Sequence, residues 1–384
     1  MDRVIIIGTG VFGLSTVDHI LRRSPTTLLT IISQPSRLAP SDDFSKIVRV
    51  DYPTSERMTE ALKTQEQWNN SNFSKFQHRI GRIIIFEPDD TPTLEKINKA
   101  REEHGLERRQ PSDSTLMRDT FGKTVTPEHL TYVLAPDDSI VDWKACMCDA
   151  RERAKKACTD NGGIFYESGV ATIVKDGAQI VALILEDGER IETKGAQIVL
   201  AVGPWLAQVL AASGITLPPN GRTPVATGLF SYAVQLNDEQ VELFRNKPMV
   251  THGGKGRTHS LYYIFLVSNS LLTRYASRTE ARFRDGVTET QDPIIARHPD
   301  FQNLVCAAGG SFNRAKDLPT IGSIVTDVLS GQYVSDRYSW EPETRYSHRD
   351  HSHLVAKGDF ATMEEEAQQD GQNSATDHFS LAVI

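Results

Sequence analysis

The sequence predicts an α/β protein with an α+β second domain, and three features predict it. An apolar run, Val4 to Ile7, enters a loop spaced G-x-G-x-x-G at Gly8, Gly10 and Gly13. A helix-period segment follows, with Leu14, Val17 and Leu21 on one face, and then a second apolar run, "TLLTIIS" at 27–33. Much later, "AQIVLAVG" (196–203) and "NLVCAAGG" (303–310) again run from apolar strand into glycine. A β-α-β unit in the first 33 residues, with similar strands returning late in the chain, describes a parallel-sheet domain built from separate stretches.

The elements follow in order. Val4 to Ile7 lacks polar alternation, so it reads as a strand buried on both faces. Met58, Leu62 and Trp68 predict a helix over 56–71, and "RIIIFEP" (82–88) predicts a strand. Residues 91–118 are charged and read as surface helix and loop. "VDWKACMCDARERAKKACTDNGG" (141–163) predicts a helix with Asp142 in its first turn and Gly162 and Gly163 beyond its end. Downstream, Asp176-Gly177 and Asp187-Gly188 separate runs rich in Val and Ile, the pattern of a β-meander. Residues 216–294 mix strand-like and polar segments, and 320–331 predict a helix closed by Gly331. From Glu341 the chain is polar without sustained periodicity, so a disordered tail is expected over 341–384.

Composition sets outer limits. The chain has 384 residues, 39% hydrophobic and 24% charged, enough for two domains with sizeable cores. A net charge of −8 without a basic stripe argues against a nucleic-acid partner. Cys146, Cys148, Cys158 and Cys306 fit neither a disulfide framework nor a zinc site, which points to a reducing compartment. The first apolar run is too short for a signal peptide, and "SLAVI" is not a peroxisomal tripeptide. "LYYIFLVSNSLL" (261–272) is broken by Ser268, Asn269 and Ser270, so no membrane span is expected. A cytoplasmic monomer is the resulting expectation. His348, His351 and His353 cluster in the unpatterned tail and read as solvated, so no metal is expected.

The glycine loop carries the first chemistry. Gly8 makes the tight turn, Gly10 lets backbone N–H groups approach a pyrophosphate, and Gly13 lets helix and strand pack closely. Val11 and Phe12 then open a helix whose unpaired N–H groups and dipole favour phosphate. The acidic residue that usually grips the ribose, about 20 residues on, is missing. Ser33 stands there, followed by Gln34; a hydroxyl still bonds a ribose, more weakly than a carboxylate. The loop therefore predicts a dinucleotide and leaves FAD and NAD both open, although an NAD-dependent dehydrogenase predicts an acid near position 33 that is absent.

Three further stretches narrow the choice. "SDDFSKIVRVDY" (41–52), "AQIVLAVGPW" (196–205) and "AAGGSFNRAKDLPTIG" (307–322) together resemble the sarcosine oxidase-like amine oxidases. Within that group they are most similar to the fungal fructosyl amino acid oxidases and the saccharopine oxidases, FAD enzymes of the D-amino-acid-oxidase superfamily. The resemblance implies a discontinuous Rossmann-like FAD-binding domain from 1–80, 141–215 and 295–340, and a mixed-sheet substrate domain from 81–140 and 216–294. It places Lys46 and Ile47 against the flavin and Arg49 on a substrate carboxylate. The residue chemistry agrees in kind: a cation stabilises the charge of a reduced flavin, and a guanidinium suits a carboxylate. A solvated loop would carry the same charges.

The resemblance also implies that Gly309 and Gly310 let backbone reach the flavin's carbonyl edge, and that Lys316 helps hold the carboxylate. Asn313 and Asp317 replace the aromatic and histidine neighbours usual in the family, and Asp317 can pair with Lys316 and weaken its hold. Ala201 and Gly203 bring backbone close to the nucleotide, Trp205 packs beside them, and Val170 offers backbone to the adenine. Two departures stand out. Phe283 occupies the position of the family's flavin-linking cysteine, so FAD is expected to bind non-covalently. The segment between about 250 and 283 is too short for the family's strands there, so the substrate domain is shortened. The implied activity is oxidation of the C–N bond of a secondary amine bearing a carboxylate (fructosyl amino acid, sarcosine or saccharopine type) by oxygen, giving an imine and H2O2. The alternative is a flavin-binding homologue without oxidase turnover.

Overall fold

The computed structural model describes residues 2–34, 39–122, 129–218, 221–234, 236–252, 262–263 and 278–342. The expectations for the shortened segment, for Phe283's side chain, for the three histidines and for the polar tail fall essentially outside the described residues. The chain divides into two compact units. One is drawn from Met1–Asp43, Trp143–Phe230 and Ala281–His351, the other from Phe44–Asp142 and Ser231–Glu280.

The first unit is built on a six-stranded sheet in the order Ile294–Arg297, Leu304–Ala308, Gln197–Leu200, Arg3–Ile7, Leu28–Ile32, Ile164–Tyr166. Five of these strands are parallel, and Ile294–Arg297 runs antiparallel along one edge. The helices Val11–Arg23, Trp143–Asp160 and Ile321–Leu329 pack together over one face. On the other face Ile5, Ile7, Ile198 and Leu200 join the inward residues of the antiparallel meander Val170–Asp176, Gln179–Leu185, Arg190–Glu192. Successive strand side chains point to opposite faces, so one continuous apolar run fills both interfaces of a three-layer unit. The meander turns at Gly177 and Gly188, both at positive φ, as the Asp-Gly pairs predict.

Several boundaries differ from the sequence reading. Asp142 ends the strand Ser139–Asp142, and the helix begins at Trp143, because Asp142 is paired in register with Ser45. The first piece of the first unit ends at Asp43, not near residue 80. The segment after it forms the strand Ser45–Val48, which pairs antiparallel with Ser139–Asp142, and the helix Ser55–Asn70, which packs on Thr91–Glu103. Residues 281–294 fall in the first unit, where Ile294–Arg297 extends the main sheet.

The second unit holds a five-stranded sheet that includes Arg82–Phe86, Thr131–Ala135 and Met249–His252. Tyr52, Met58, Phe86, Leu94, Ile97 and Val133 form one of its apolar clusters. No described helix is long and apolar enough to cross a membrane.

His298 is expected to make the first unit sensitive to acid. Its Nδ1 accepts the Asp300 N–H at 3.3 Å, which leaves Nε2 to donate to the Thr216 carbonyl at 3.1 Å. That arrangement needs a neutral ring. Burial is the main cause holding its pKa below the ordinary value, and burial lowers His19 likewise. The unfolded chain therefore binds more protons than the folded one below about pH 6.5, and stability is lost as pH falls from there toward the folded value. The melting temperature is expected to decline from pH 7 to pH 5, and His298→Gln to flatten that decline. A melting curve series in the two proteins checks it.

Candidate functional site

The loop Gly8 to Gly13 lies where the sheet switches direction. From Arg3–Ile7 the chain moves to Leu28–Ile32 on one side and later returns with Gln197–Leu200 on the other. Such a switch point opens a crevice beyond the strand ends. Gly8 stands at its mouth. Its N–H donates to the Ile32 carbonyl at 2.8 Å, and the Ala201 N–H donates to the Ile7 carbonyl at 2.8 Å. Gly8 has φ +102°, and a Cβ there would lie 2.3 Å from the Ala201 oxygen. A Cβ on Gly13 would lie 1.9 Å from the Gly8 oxygen.

Gly10 differs in kind. A Cβ on it would meet only the Ser41 hydroxyl, at 3.3 Å. Gly10 caps the Val11–Arg23 helix without a side-chain bond, so the first-turn N–H groups of Val11, Phe12 and Gly13 are offered to a ligand. Gly8 and Gly13 thus close the turn while Gly10 leaves room. This cradle fits the pyrophosphate of a dinucleotide. Ser41 stands at its rim, and a serine in a polar loop gives no sequence signal by itself.

Ser33 is fully buried at the end of the second strand, and its hydroxyl is bonded to that of Thr9. Arg151 Nε donates to the same Ser33 oxygen at 3.4 Å, another contact the sequence does not announce. Val170 opens the meander, paired with Leu185 and half-buried. Ala201 is buried, and Gly203, at φ +56°, begins the short turn Gly203–Trp205 with Trp205 half-buried.

A second loop of the same unit closes near Gly203. A Cβ on Gly286 would lie 3.6 Å from the Gly203 oxygen. Asp285 accepts the Phe312 N–H at 2.6 Å and the Gly286 N–H at 2.8 Å, while Ser311 N–H donates to the Gly286 carbonyl at 2.9 Å. These bonds hold Ser311 at φ +50° and Phe312 at φ +57°, a left-handed pair directly after Gly309 and Gly310. The carboxylate of Asp285 therefore shapes the loop that the glycines begin.

Lys316 follows, 6% exposed. Its ammonium donates to the Asn313 carbonyl at 2.8 Å and faces the Asp317 carboxylate at 3.3 Å. Asp317 also meets Arg314 at 2.9 Å, and Arg314 reaches Asp292 at 2.9 Å. Burial alone would raise the Asp317 carboxyl, but Lys316 and Arg314 more than offset it and hold it below the ordinary range. The pairing of Asp317 with Lys316 is the one the sequence suggests.

Lys46, Ile47 and Arg49 belong to the other unit. Lys46 and Ile47 lie on the Ser45–Val48 strand, opposite Val141 and Ile140, and Arg49 follows directly. Arg49 is half-buried, with Nε donating to the Tyr52 hydroxyl at 3.2 Å and its guanidinium 4.8 Å from the centre of that ring. The next residues are pinned in turn. Val50 N–H donates to Asp138 at 3.3 Å, and Asp51 is clamped by Arg101 at 2.6 Å and Arg109 at 2.8 Å. Among the described residues no group of three His, Cys, Asp or Glu side chains is arranged to hold a metal ion.

Residues 3–264 match the family model described as FAD dependent oxidoreductase. L-saccharopine oxidase of Schizosaccharomyces pombe is 24% identical over 423 aligned residues, covering 90% of this chain and 94% of that protein. Among solved structures, fructosyl amine:oxygen oxidoreductase (Amadoriase I) from Aspergillus fumigatus superposes with a TM-score of 0.67 at 20% identity, covering 89% of this chain and 90% of that one. The fructosyl peptide oxidase from E. terrenum gives 0.71 at 16% identity, covering 94% and 96%. These superpositions establish a shared fold.

Proposed function

Because the chain belongs to the FAD dependent oxidoreductase family, we propose that it oxidises the C–N bond of a secondary amine bearing a carboxylate, of fructosyl amino acid, sarcosine or saccharopine type. The observation that carries the reading is the glycine cradle at the switch point, tight at Gly8 and Gly13 and open at Gly10. The names of the relatives, a saccharopine oxidase and two fructosyl amine or peptide oxidases, support the amine class.

Gly8, Gly10, Val11, Phe12 and Gly13 would hold the pyrophosphate, Ser33 and Val170 the adenosine end, and Ala201, Gly203 and Trp205 the nucleotide's flank. Lys46, Ile47, Gly309, Gly310 and Lys316 would address the flavin. When bound, FAD supplies the acceptor for the two electrons of amine oxidation and returns them to oxygen as H2O2. Arg49 would orient the substrate through its carboxylate, and the Tyr52 hydroxyl and ring hold the guanidinium for that task. Lys46 would contribute positive charge beside the ring system.

FAD binds without a covalent bond in this reading. Phenylalanine at 283 cannot form a thioether. Cys146, Cys158 and Cys306 are buried, and burial pushes the Cys158 thiol up to about 11 and Cys306 higher still. A second reading, flavin binding without oxidase turnover, is favoured by Lys316, whose ammonium already meets Asn313 and Asp317.

One preparation tests both. Protein reconstituted with FAD is expected to show flavin absorbance, and acid precipitation to release all of the flavin into the supernatant. Peroxide is expected with one of sarcosine, saccharopine or fructosyl-valine. Flavin that stays with the precipitate would refute the non-covalent reading. Flavin-loaded protein giving peroxide with none of the three would favour the second reading.

A further inference from the structure

We infer that the adenosine end of this nucleotide site is reversed in charge and takes a 2′-phosphate, so that an adenine nucleotide phosphorylated at the ribose 2′ position competes there with FAD. The inference rests on the reading of the Gly8–Gly13 loop as the pyrophosphate site. With the pyrophosphate there, the ribose falls at the end of the second strand. A carboxylate at that place accepts the 2′-hydroxyl, whereas an arginine accommodates a 2′-phosphate.

This chain has no carboxylate at that position. Ser33 occupies it, and Arg151 Nε approaches the Ser33 hydroxyl at 3.4 Å from the middle of the Trp143–Asp160 helix. The Arg151 guanidinium lies 5.2 Å from the centre of the Phe165 ring. Lys155, one helical turn on, places its ammonium 5.4 Å from the same centre. Phe165 belongs to the strand beside Leu28–Ile32, in register with Ile31, so both cations flank the end of the second strand.

The local carboxylates do not cancel this charge. Glu167 bridges the two cations, 2.9 Å from Lys155 and 3.7 Å from Arg151. One carboxylate against two cations leaves one positive charge uncompensated. Arg151 Nη2 is buried and hydrogen-bonds no described residue, so its approach to Glu167 is attraction without a bond. Glu167 is 55% exposed and free to swing toward water. A 2′-phosphate, displacing Glu167, would take the unbonded Nη2 N–H together with the Lys155 ammonium, a charge-assisted pair that a bare hydroxyl cannot match. Of the carboxylates in the neighbouring meander turn, Glu186 is engaged by Gln34 at 2.6 Å and lies against Gly169, and Glu189 is engaged by Tyr166.

Calorimetric titration of the flavin-free protein with adenosine 2′,5′-bisphosphate and with adenosine 5′-monophosphate tests the inference directly. The bisphosphate is expected to bind about tenfold more tightly. Arg151→Gln is expected to remove that advantage. Lys155→Gln, at an exposed position, is expected to reduce it by a few-fold and serves if the Arg151 variant does not fold. Equal or weaker binding of the bisphosphate, or an advantage that survives in the foldable variants, would overturn the inference; preference for the monophosphate would hand the ribose to Glu186. FAD titrated in parallel separates the two readings. Uptake of FAD with no 2′-phosphate advantage sinks only the inference, and failure to take up FAD sinks the flavin reading.

Discussion

Gly13→Ala is expected to abolish FAD retention and to cost the first unit about 3 kcal/mol, the upper range for forcing atoms into a packed site. The new Cβ would lie 1.9 Å from the Gly8 oxygen and 3.0 Å from the Gly8 carbonyl carbon. Both neighbours are backbone, so no side chain can swing aside. Gly13 is a helical residue outside the positive-φ set, so the effect is steric alone. The only relief is to push the helix away from the strand end, which widens the turn that offers the phosphate its N–H groups. Gly163→Ala provides the comparison. Its Cβ would lie 2.2 Å from the Leu29 oxygen, an equally rigid clash. Gly163 precedes the strand Ile164–Tyr166, at the opposite end of the sheet from the loop. Similar loss of stability in the two variants, with FAD affinity lost only in Gly13→Ala, is the expected pattern. Denaturant unfolding and flavin titration at low temperature measure the two quantities. Equal FAD affinity in both folded variants would refute the cradle.

The parts that were legible in the sequence are those set by local rules. Val4 to Ile7 is apolar without alternation, and only a strand covered on both faces uses such a run; the structure puts helices on one side and the meander on the other. The spacing of Gly8, Gly10 and Gly13 encodes three different steric demands, and each appears at its own glycine. The Asp-Gly turns of the meander are local in the same way. What the sequence hid depends on residues far apart in the chain. Thr91–Glu103 reads as charged surface helix, yet Arg101 on it is buried because its partner Asp51 arrives from another segment. "SDDFSKIVRVDY" reads as loop, yet Ser45–Val48 becomes a strand once Ser139–Asp142 is beside it. Arg151 could be flagged only by asking what replaces a missing carboxylate, a question whose answer lies 118 residues from Ser33. Pairing of opposite charges over such separations leaves no periodicity to read.

Asp51→Asn is expected to cost the second unit about 3–5 kcal/mol, because it leaves two buried guanidinium groups facing a neutral amide. The Asp51 side chain is fully buried between Arg101 and Arg109. Burial alone would raise its carboxyl, but Arg109 and Arg101 more than offset this and hold it below the ordinary carboxylate range. A carboxyl with a lowered folded pKa gives stability that is present above the unfolded value, near pH 4, and is lost as pH falls through the folded value. The wild-type protein should therefore lose stability below about pH 4 by a component that the variant lacks. The consequence for function follows from position. Asp51 is two residues beyond Arg49, and its clamp fixes the backbone that presents the Arg49 guanidinium to Tyr52. If Arg49 grips the substrate carboxylate, Asp51→Asn should raise KM about tenfold at temperatures where the variant is folded, and change kcat little. Arg49→Lys should raise KM at least as far without the stability loss, since a lysine keeps the charge and loses the planar fork. FAD content, measured on the same samples, should be unchanged in both. A KM that does not move in Arg49→Lys would remove Arg49 from the substrate site, while an unchanged KM in Asp51→Asn alone would leave Arg49 there and restrict the clamp to folding.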